Sequence, residues 1–223
     1  MTLTLHHLEN SRSHRIIWLL EELGVDYRIV EYKRHPKTML APPELKKIHP
    51  LGKSPVITDG DTTLAESGFI VETLIERYGP QLAPPPNTPA NLRYRYWMHY
   101  AEGSAMPPLL LKLVSHKIAT APVPFFVRPI VKTIAKTLDK QFIDAQLTTH
   151  FDHMESELGA SPYFAGDQFT GADIMMSFPV EGGSGRIGAL SSRPNLARWL
   201  AAMKARPAYQ KALEKGGPLS LGL

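Results

Sequence analysis

The pair Glu66-Ser67 combines side chains that can bind a ligand with a position at a predicted helix start. Ser67 comes directly before an apolar helical pattern, where a helix N-cap is expected. A helix start offers unpaired N–H groups and a partial positive charge, so the Ser67 hydroxyl and the following amides can receive a carboxylate or a phosphate. Glu66 adds a negative charge beside them. The pair therefore suits a ligand that carries both an ammonium and a carboxylate group, as an amino acid does.

Short patterns on either side indicate the elements that position this pair. Val56-Ile57-Thr58 and Thr62-Thr63-Leu64 are β-branched runs, and Asp59-Gly60 between them predicts a tight hairpin turn. Ser54-Pro55 opens the hairpin, and because proline lacks an N–H group it marks a sheet edge, a bulge or a cis turn. After Ser67, apolar residues at helical spacing predict a helix that Gly79-Pro80 ends.

The sequence before the hairpin follows a β-α-β order. Leu3 to His6 alternate as a strand, an apolar helical pattern ends at Gly24, and Asp26 to Tyr32 alternate as a second strand. This order predicts a right-handed crossover and a parallel strand pair. With a short helix near Glu44 to Ile48, the hairpin and the helix after it, the order becomes β-α-β-α-β-β-α. It resembles an α/β thioredoxin-like domain.

Beyond residue 79 the pattern changes to proline-rich and then to helical. We expect three parts: an N-terminal domain over 1–79, a stiff proline-rich linker over 80–89, and an all-α C-terminal helical domain over 90–223.

Three features stand out within the C-terminal part. A helix predicted over 91–106 should bend or end at Pro107-Pro108, and a long helix is predicted over 130–158. Thr170 and Asp173 form a capping box that opens a buried helix predicted over 174–180, so we assign both residues to folding and not to catalysis.

Composition excludes several classes of function. Residues 1–80 carry a net charge of −1 and residues 81–223 a net charge of +5, with the charges scattered, so nucleic-acid binding is not expected. The absence of cysteine removes disulfides and cysteine nucleophiles. No secretory signal or membrane-length apolar run is visible, which predicts a soluble cytoplasmic protein without membrane contact.

The nine histidines do not form a metal-binding pattern. His6 and His7 point to opposite faces of a strand, while His150 and His153 share a helix face without a third ligand. We expect no metal.

The run from Gly52 to Ile57, followed by Glu66-Ser67, resembles the glutathione-binding half of the cytosolic glutathione transferases. The Thr-x-x-Asp box resembles the structural box in the helical domain of that family. The resemblance implies that the backbone of Ser54, before a cis proline, pairs with the cysteinyl part of glutathione, and that Glu66 and Ser67 bind the γ-glutamyl end. It also implies that Lys53 meets the glycyl carboxylate.

The segment from Ser11 to Arg15 resembles the Ser-x-x-x-Arg arrangement of the serine-type bacterial and fungal members. It implies that Ser11 is the catalytic residue, donating a hydrogen bond to the glutathione thiolate at the start of the first helix. Asn10 and Ser13 remain alternatives for this role.

The implied function is transfer of glutathione to electrophilic small molecules, with reduction of organic peroxides as a further activity. The alternative is a glutathione-binding module without catalysis, with a regulatory or carrier role. The implied partners are glutathione as co-substrate, an apolar electrophile or peroxide, and a second copy of the chain in a homodimer, with Glu102 reaching the partner subunit's glutathione. The electrophile pocket is predicted between the domains from five residues: Leu8, Tyr96, Tyr100, Ser104 and Met106.

Overall fold

A computed structural model describes residues 3–222, so the outermost residues 1, 2 and 223 of the predicted domain ranges lie outside it. Four strands form one sheet: β1 Leu3–Leu8, β2 Tyr27–Tyr32, β3 Val56–Asp59 and β4 Thr62–Ala65. The helices are α1 Ser13–Leu23, α2 Ser67–Tyr78, α3 Pro89–Tyr100, α4 Met106–Ala119, α5 Arg128–Leu138, α6 Asp144–Ala160, α7 Gly171–Ile187, α8 Pro194–Lys204 and α9 Pro207–Gly216. Short 3₁₀ turns occupy Pro43–Lys47 and Pro80–Leu82.

The sheet has the order β2-β1-β3-β4, with β1 parallel to β2 and antiparallel to β3. All six residues of β1 are buried because strands flank it on both sides and α1 packs against it. This confirms the thioredoxin-like fold class and the helical region after it. The second helix of the predicted order is only the 3₁₀ turn at Pro43–Lys47.

The hairpin is confirmed, but its turn lies one residue later than predicted. Asp59 pairs with Thr62, which leaves Gly60 and Asp61 as the two loop residues. Gly60 has φ +58°, as the first position of a tight hairpin turn can require, and Asp59 remains in the strand.

The helix α1 is buried on nearly all sides between the sheet and helices α7 and α9. Every residue from Ser13 to Leu20 is buried, including the full side chain of Trp18. The sequence pattern predicted the helix but not the extent of its burial. The additional contacts come from helices more than 140 residues away, which a local pattern cannot indicate.

The helix was predicted to bend or end at Pro107-Pro108, and of these two outcomes the end is wrong. The chain continues from α3 through a π-helical segment, Ala101–Ala105, into α4, and the two prolines lie in the first turn of α4. Proline has no N–H group to donate to the preceding turn of a helix. The π segment just before the prolines changes the hydrogen-bond spacing at this point, and the helical path continues.

The long helix predicted over 130–158 is likewise divided into α5 and α6 by a second π segment, Asp139–Ile143.

Helix α7 is longer than the predicted 174–180 and is the central helix of the C-terminal region. Its residues from Gly171 to Gly183 are all buried, despite Pro179 inside it. The predicted capping box at its start is confirmed: Thr170 N donates to Asp173 Oδ2 at 3.0 Å, and Ala172 N donates to Thr170 Oγ1 at 3.3 Å.

Helix α7 also packs closely against α2. A Cβ atom on Gly171 would lie 2.4 Å from Ile75 Cδ1, so the missing side chain permits this approach. The hydrophobic core consequently runs without a break from the sheet into the helices. The domain division at 80–89 stays a prediction.

Candidate functional site

The four residues predicted to bind glutathione line one cavity of about 300 Å³. Lys53 and Ser54 come from the loop before β3, while Glu66 and Ser67 come from the junction of β4 with α2. The fold brings these two segments together because β3 and β4 are paired from Val56–Ala65 to Asp59–Thr62. Arg12 and Glu102 close another side of the same cavity.

The start of α2 differs in detail from the predicted cap. Ser67 is the first helical residue, and Glu66 occupies the cap position with φ +73° and no side-chain cap hydrogen bond. Only one residue connects β4 to α2, so Glu66 must turn the chain sharply. A positive φ at a residue other than glycine is rare and is often retained at functional sites.

The amides at this helix start are free to receive an anion. Within residues 3–222, the first backbone bond of the turn is Ile70 N to Glu66 O at 2.9 Å, which leaves the Ser67, Gly68 and Phe69 amides without backbone partners. The Ser67 side chain is buried, and within residues 3–222 it has no hydrogen-bond partner. With the exposed Glu66 carboxylate beside it, this arrangement can bind an ammonium and a carboxylate together.

Ser54 is fixed to the end of β1 through its side chain. Its hydroxyl donates to His6 O at 2.8 Å and accepts from Leu8 N at 3.1 Å. The Ser54-Pro55 peptide bond is cis. The Ser54 backbone N–H and C=O make no hydrogen bond within the described part of the chain, so they are available to an extended peptide.

Ser11 lies in the turn between β1 and α1, and its hydroxyl is held by Ser13, two residues further on. Ser11 Oγ lies 2.7 Å from Ser13 Oγ and accepts from Ser13 N at 3.2 Å. Ser11 borders a second cavity, of about 480 Å³, whereas Ser13 is fully buried and borders neither cavity.

Ser13 is held in turn by His7. The His7 Nε2 atom lies 3.0 Å from Gly216 O, which can only accept, so Nε2 carries the proton of a neutral ring. The His7 Nδ1 atom then accepts from the Ser13 hydroxyl at 2.8 Å. Burial lowers the pKa of His7, which favours this neutral form.

Asn10, the other alternative to Ser11, contacts the C-terminal tail. Its Oδ1 atom accepts from Ser220 N at 2.8 Å, although the residue also borders the 480 Å³ cavity.

Two arginines of the first helix turn converge on Glu102. Arg12 Nε lies 2.9 Å from a Glu102 carboxylate oxygen, and the fully buried Arg15 forms an ion pair with the same group. Arg15 Nη1 also donates to Met175 O at 2.9 Å. Burial by itself raises the pKa of Glu102, but Arg15 and Arg12 together hold it below its usual value. In this chain Glu102 therefore links α1 to the π segment, and its predicted contact with a partner subunit stays a prediction.

Of the five residues predicted to form the electrophile pocket, only Leu8 and Met106 border the 480 Å³ cavity. The hydroxyl of Tyr96 lies 3.2 Å from His153 Nε2, and that of Tyr100 lies 2.5 Å from His150 Nδ1. Both tyrosines thus face α6. Ser104, on the π segment, does not border the cavity either.

Sequence reasoning missed several residues that border this cavity. They include Arg34, Lys117, Phe178, Arg186 and the tail residues 220–222. They come from four separate parts of the chain, and no local pattern connected them to Ser11. In the described residues there is also no cluster of three metal-ligating side chains and no helix long and apolar enough to span a membrane.

The fold and site define a protein of the thioredoxin-like α/β class with a helical C-terminal region, in which a peptide-sized cavity at the sheet adjoins a larger cavity. Residues 1–75 match the family described as "Glutathione S-transferase, N-terminal domain", and residues 116–207 match "Glutathione S-transferase, C-terminal domain". The chain belongs to the glutathione S-transferase family and is a transferase.

Two curated relatives and a solved structure show the extent of the similarity. The chain is 38% identical to glutathione S-transferase 3 of Schizosaccharomyces pombe, covering 96% of this chain and 87% of that protein. It is 32% identical to glutathione S-transferase 1 of Saccharomyces cerevisiae, covering 96% and 95%. The crystal structure of a glutathione S-transferase from Actinobacillus pleuropneumoniae is 39% identical, with a TM-score of 0.81 over 99% of this chain and 95% of that one.

Proposed function

We propose that this chain activates the thiol of glutathione and transfers glutathione to electrophilic small molecules. The observation that supports this most strongly is the position of Ser11, which borders the larger cavity beside Arg12, Lys53 and Ser54, the residues shared by both cavities. A thiol bound along Ser54 and pointing toward Ser11 would lie at the junction of the two cavities.

Each predicted residue has a separate role in binding. Glu66 accepts hydrogen bonds from the γ-glutamyl ammonium, and Ser67 with the α2 amides binds the neighbouring carboxylate. The Ser54 backbone pairs with the cysteinyl residue, and Lys53 neutralises the glycyl carboxylate. Because these contacts involve parts of glutathione that do not react, they serve to position its sulfur.

Ser11 then stabilises the thiolate. A free thiol has a pKa of about 8.5, and lowering it by about 2 units corresponds to about 2.7 kcal/mol. The Ser11 hydrogen bond and the partial positive charge at the start of α1 both favour the anion. The thiolate forms a bond to an electrophilic carbon while the leaving group departs with its electron pair. Attack on an organic peroxide starts from the same thiolate.

One observation favours a second candidate function, a glutathione-binding module without catalysis. The Ser11 hydroxyl already has a partner in Ser13 at 2.7 Å, so it has to exchange that partner for the thiolate. If this exchange does not occur, glutathione would bind without activation.

We further propose that the protein acts in the cytoplasm as a homodimer, with Glu102 near the second subunit, and that it takes part in detoxification. These assignments rest on properties that are typical of the glutathione S-transferase family. Equilibrium sedimentation tests the dimer directly, since a monomer at micromolar concentration would contradict it.

Calorimetric titration with glutathione tests the binding site. We expect saturable binding that weakens about 10- to 100-fold in Glu66→Ala, because a hydrogen bond to a charged group contributes about 1.5–3 kcal/mol. The matched control is Glu76→Ala, which removes an exposed carboxylate of α2 that borders neither cavity. Equal affinity in wild type and Glu66→Ala would contradict the assigned site, and no binding by wild type would contradict the function.

A further inference from the structure

The larger cavity is bordered by several cations and, among residues 3–222, by no acidic side chain. Five of its bordering residues carry a positive charge, namely Arg12, Arg34, Lys53, Lys117 and Arg186. Among residues 3–222, no aspartate or glutamate borders it. This composition is unusual for a cavity whose remaining surface is largely apolar, because charged groups in such surroundings are normally paired.

Glutathione and Glu102 account for only two of the five charges. Arg12 is paired with Glu102 at 2.9 Å, and Lys53 is proposed to meet the glycyl carboxylate of glutathione. Both residues also border the smaller cavity, whereas Arg34, Lys117 and Arg186 do not. Arg186 additionally borders a separate cavity of about 450 Å³ that Asp144 also lines. These three charges need another explanation.

The two arginines of this trio are held in place by backbone carbonyl groups. Arg34 donates to Glu9 O at 3.2 Å, to Met39 O at 2.9 Å and to Asn10 O at 3.1 Å. The carboxylate of Glu9 accepts the backbone N–H of Arg34 at 2.8 Å and forms no ion pair with its guanidinium group.

Arg186 has a similar environment. It donates from Nη1 to Leu109 O and from Nε to Leu221 O, both at 3.1 Å. Carbonyl groups orient a guanidinium but leave its charge in place. Neither arginine, nor Lys117, has a carboxylate within ion-pair distance among the described residues.

The cations also repel one another. Burial lowers the pKa of both Arg34 and Arg186, and the positive charge of Arg12 lowers each further, while Glu9 opposes the effect at Arg34. A bound anion would relieve this repulsion, because opposite charges in partly buried surroundings interact more strongly than in water.

Apolar residues border the same cavity as these cations. Leu8, Met106, Leu110 and Phe178 border it together with Ser11. We propose that the second substrate is an electrophile that carries a carboxylate. Its reactive apolar part packs near Met106 and Phe178, and its carboxylate is bound by Arg34, Lys117 and Arg186. This inference rests on the proposed transferase function, but the preference for an anion can be measured separately.

The test compares a dinitrobenzoate with its uncharged dinitrobenzamide, two unreactive aromatic probes of nearly equal size. Their affinities are measured by calorimetry on the whole chain, without and with saturating S-methylglutathione. We expect the benzoate to bind about 10-fold more tightly than the benzamide at low salt, and the preference to shrink as salt rises from about 20 to about 300 mM.

Variants assign the preference to particular charges. Lys117 is exposed, so Lys117→Gln should reduce the benzoate preference about 2-fold, and the half-buried Arg186 should contribute more, with about a 3- to 5-fold loss in Arg186→Gln. The matched control is Lys132→Gln, which removes the same charge from an exposed position of α5 outside the cavity and should leave the preference unchanged.

An equal affinity for the two probes would overturn the inference, and so would a preference that Lys117→Gln and Arg186→Gln both leave intact. Displacement of the benzoate by S-methylglutathione would also overturn it, because the anion would then occupy the glutathione cavity.

Turnover provides the link to the reaction. With a chlorodinitrobenzoate and its amide, the thiolate forms a carbon–sulfur bond and chloride leaves with the bonding electrons. We expect a higher kcat/KM for the benzoate in wild type. A benzoate preference in binding without any turnover would count against the proposed transferase function, whereas turnover of the amide without a benzoate preference would refute the anionic substrate alone.

Discussion

Replacing Ser11 by alanine separates thiolate activation from glutathione binding. Ser11 borders the larger cavity, while Glu66 and Ser67, the residues proposed to bind the γ-glutamyl group, border the smaller one. Ser11→Ala should therefore leave the affinity for glutathione within about 3-fold of wild type at a pH where the thiol is protonated, because only the thiolate gains from the lost donor.

The magnitude follows from a hydrogen bond to a charged acceptor. Such a bond contributes about 1.5–3 kcal/mol, and one pKa unit corresponds to about 1.36 kcal/mol. The pKa of the bound thiol should rise by about 1–2 units in Ser11→Ala. If the wild-type value is about 6.5, the thiolate fraction at pH 6.5 falls from about one half to between about 1 and about 10 per cent.

The assay is ultraviolet difference titration of the thiolate in the glutathione complex, with the pH dependence of kcat/KM as a second measure. Both curves should move to higher pH by the same amount, and kcat/KM at pH 6.5 should fall about 5- to 50-fold.

Two further variants serve as comparisons. Ser13→Ala removes a hydroxyl that is fully buried and bonded to His7, so it should lower stability by about 1–3 kcal/mol without raising the thiol pKa. Ser156→Ala makes the same chemical change on the exposed surface of α6 and should alter neither quantity. An unchanged thiol pKa in Ser11→Ala, or a larger increase in Ser13→Ala, would refute the role assigned to Ser11.

Three predictions concern stability. Asp173→Ala should lower the free energy of unfolding in urea at pH 7 by about 3 kcal/mol, because Asp173 Oδ1 accepts from Trp199 Nε1 at 3.0 Å in the core; a loss under about 1 kcal/mol would contradict this. Glu102→Gln should cost a similar amount, since it leaves Arg15 buried without a carboxylate, and an unchanged urea midpoint would argue against the ion pair. Burial lowers the pKa of His14 from 6.5 to about 4, so the unfolded chain binds more protons between these values, and His14 costs up to about 3 kcal/mol of stability as the pH falls from 6.5 to 4. His14→Phe should remove this part of the pH dependence. Burial raises the pKa of Asp173 to about 6, which makes Asp173 add stability as the pH falls toward 4, so the measured curve is the sum of both effects. An unaltered slope of stability against pH in the variant would contradict the assignment to His14.

The sequence predicted those parts of the fold and site that depend on local patterns. The hairpin, the Ser54-Pro55 cis turn as one of three alternatives, and the Glu66-Ser67 junction are adjacent in the chain, so a few residues define each of them. The capping box at Thr170 and Asp173 was predictable for the same reason, since both partners lie within one helical turn.

The larger cavity could not be predicted in this way. Helical spacing placed Tyr96 and Tyr100 together on one face of α3, but it does not specify which neighbour that face contacts. In the structure the neighbour is α6, through His150 and His153. Which side of a helix faces a cavity depends on how it packs against elements that are 50 residues away in sequence.

The position of Ser11 illustrates this limit at the centre of the proposed chemistry. The end of β1 and the turn after it are held by Ser54, by the Gly216 carbonyl through His7, and by the Ser220 amide through Asn10. Two of these three contacts join residues more than 200 positions apart. A serine before an apolar helix is a common cap, so its residue type alone cannot distinguish a cap from a thiolate donor. The long-range contacts hold the buried Ser13 behind Ser11 and leave Ser11 as the serine of this turn that borders the cavity, which supports its proposed role. A substitution that removes the Ser220 N–H donor to Asn10 should therefore alter the reactivity of Ser11, a residue that it does not touch.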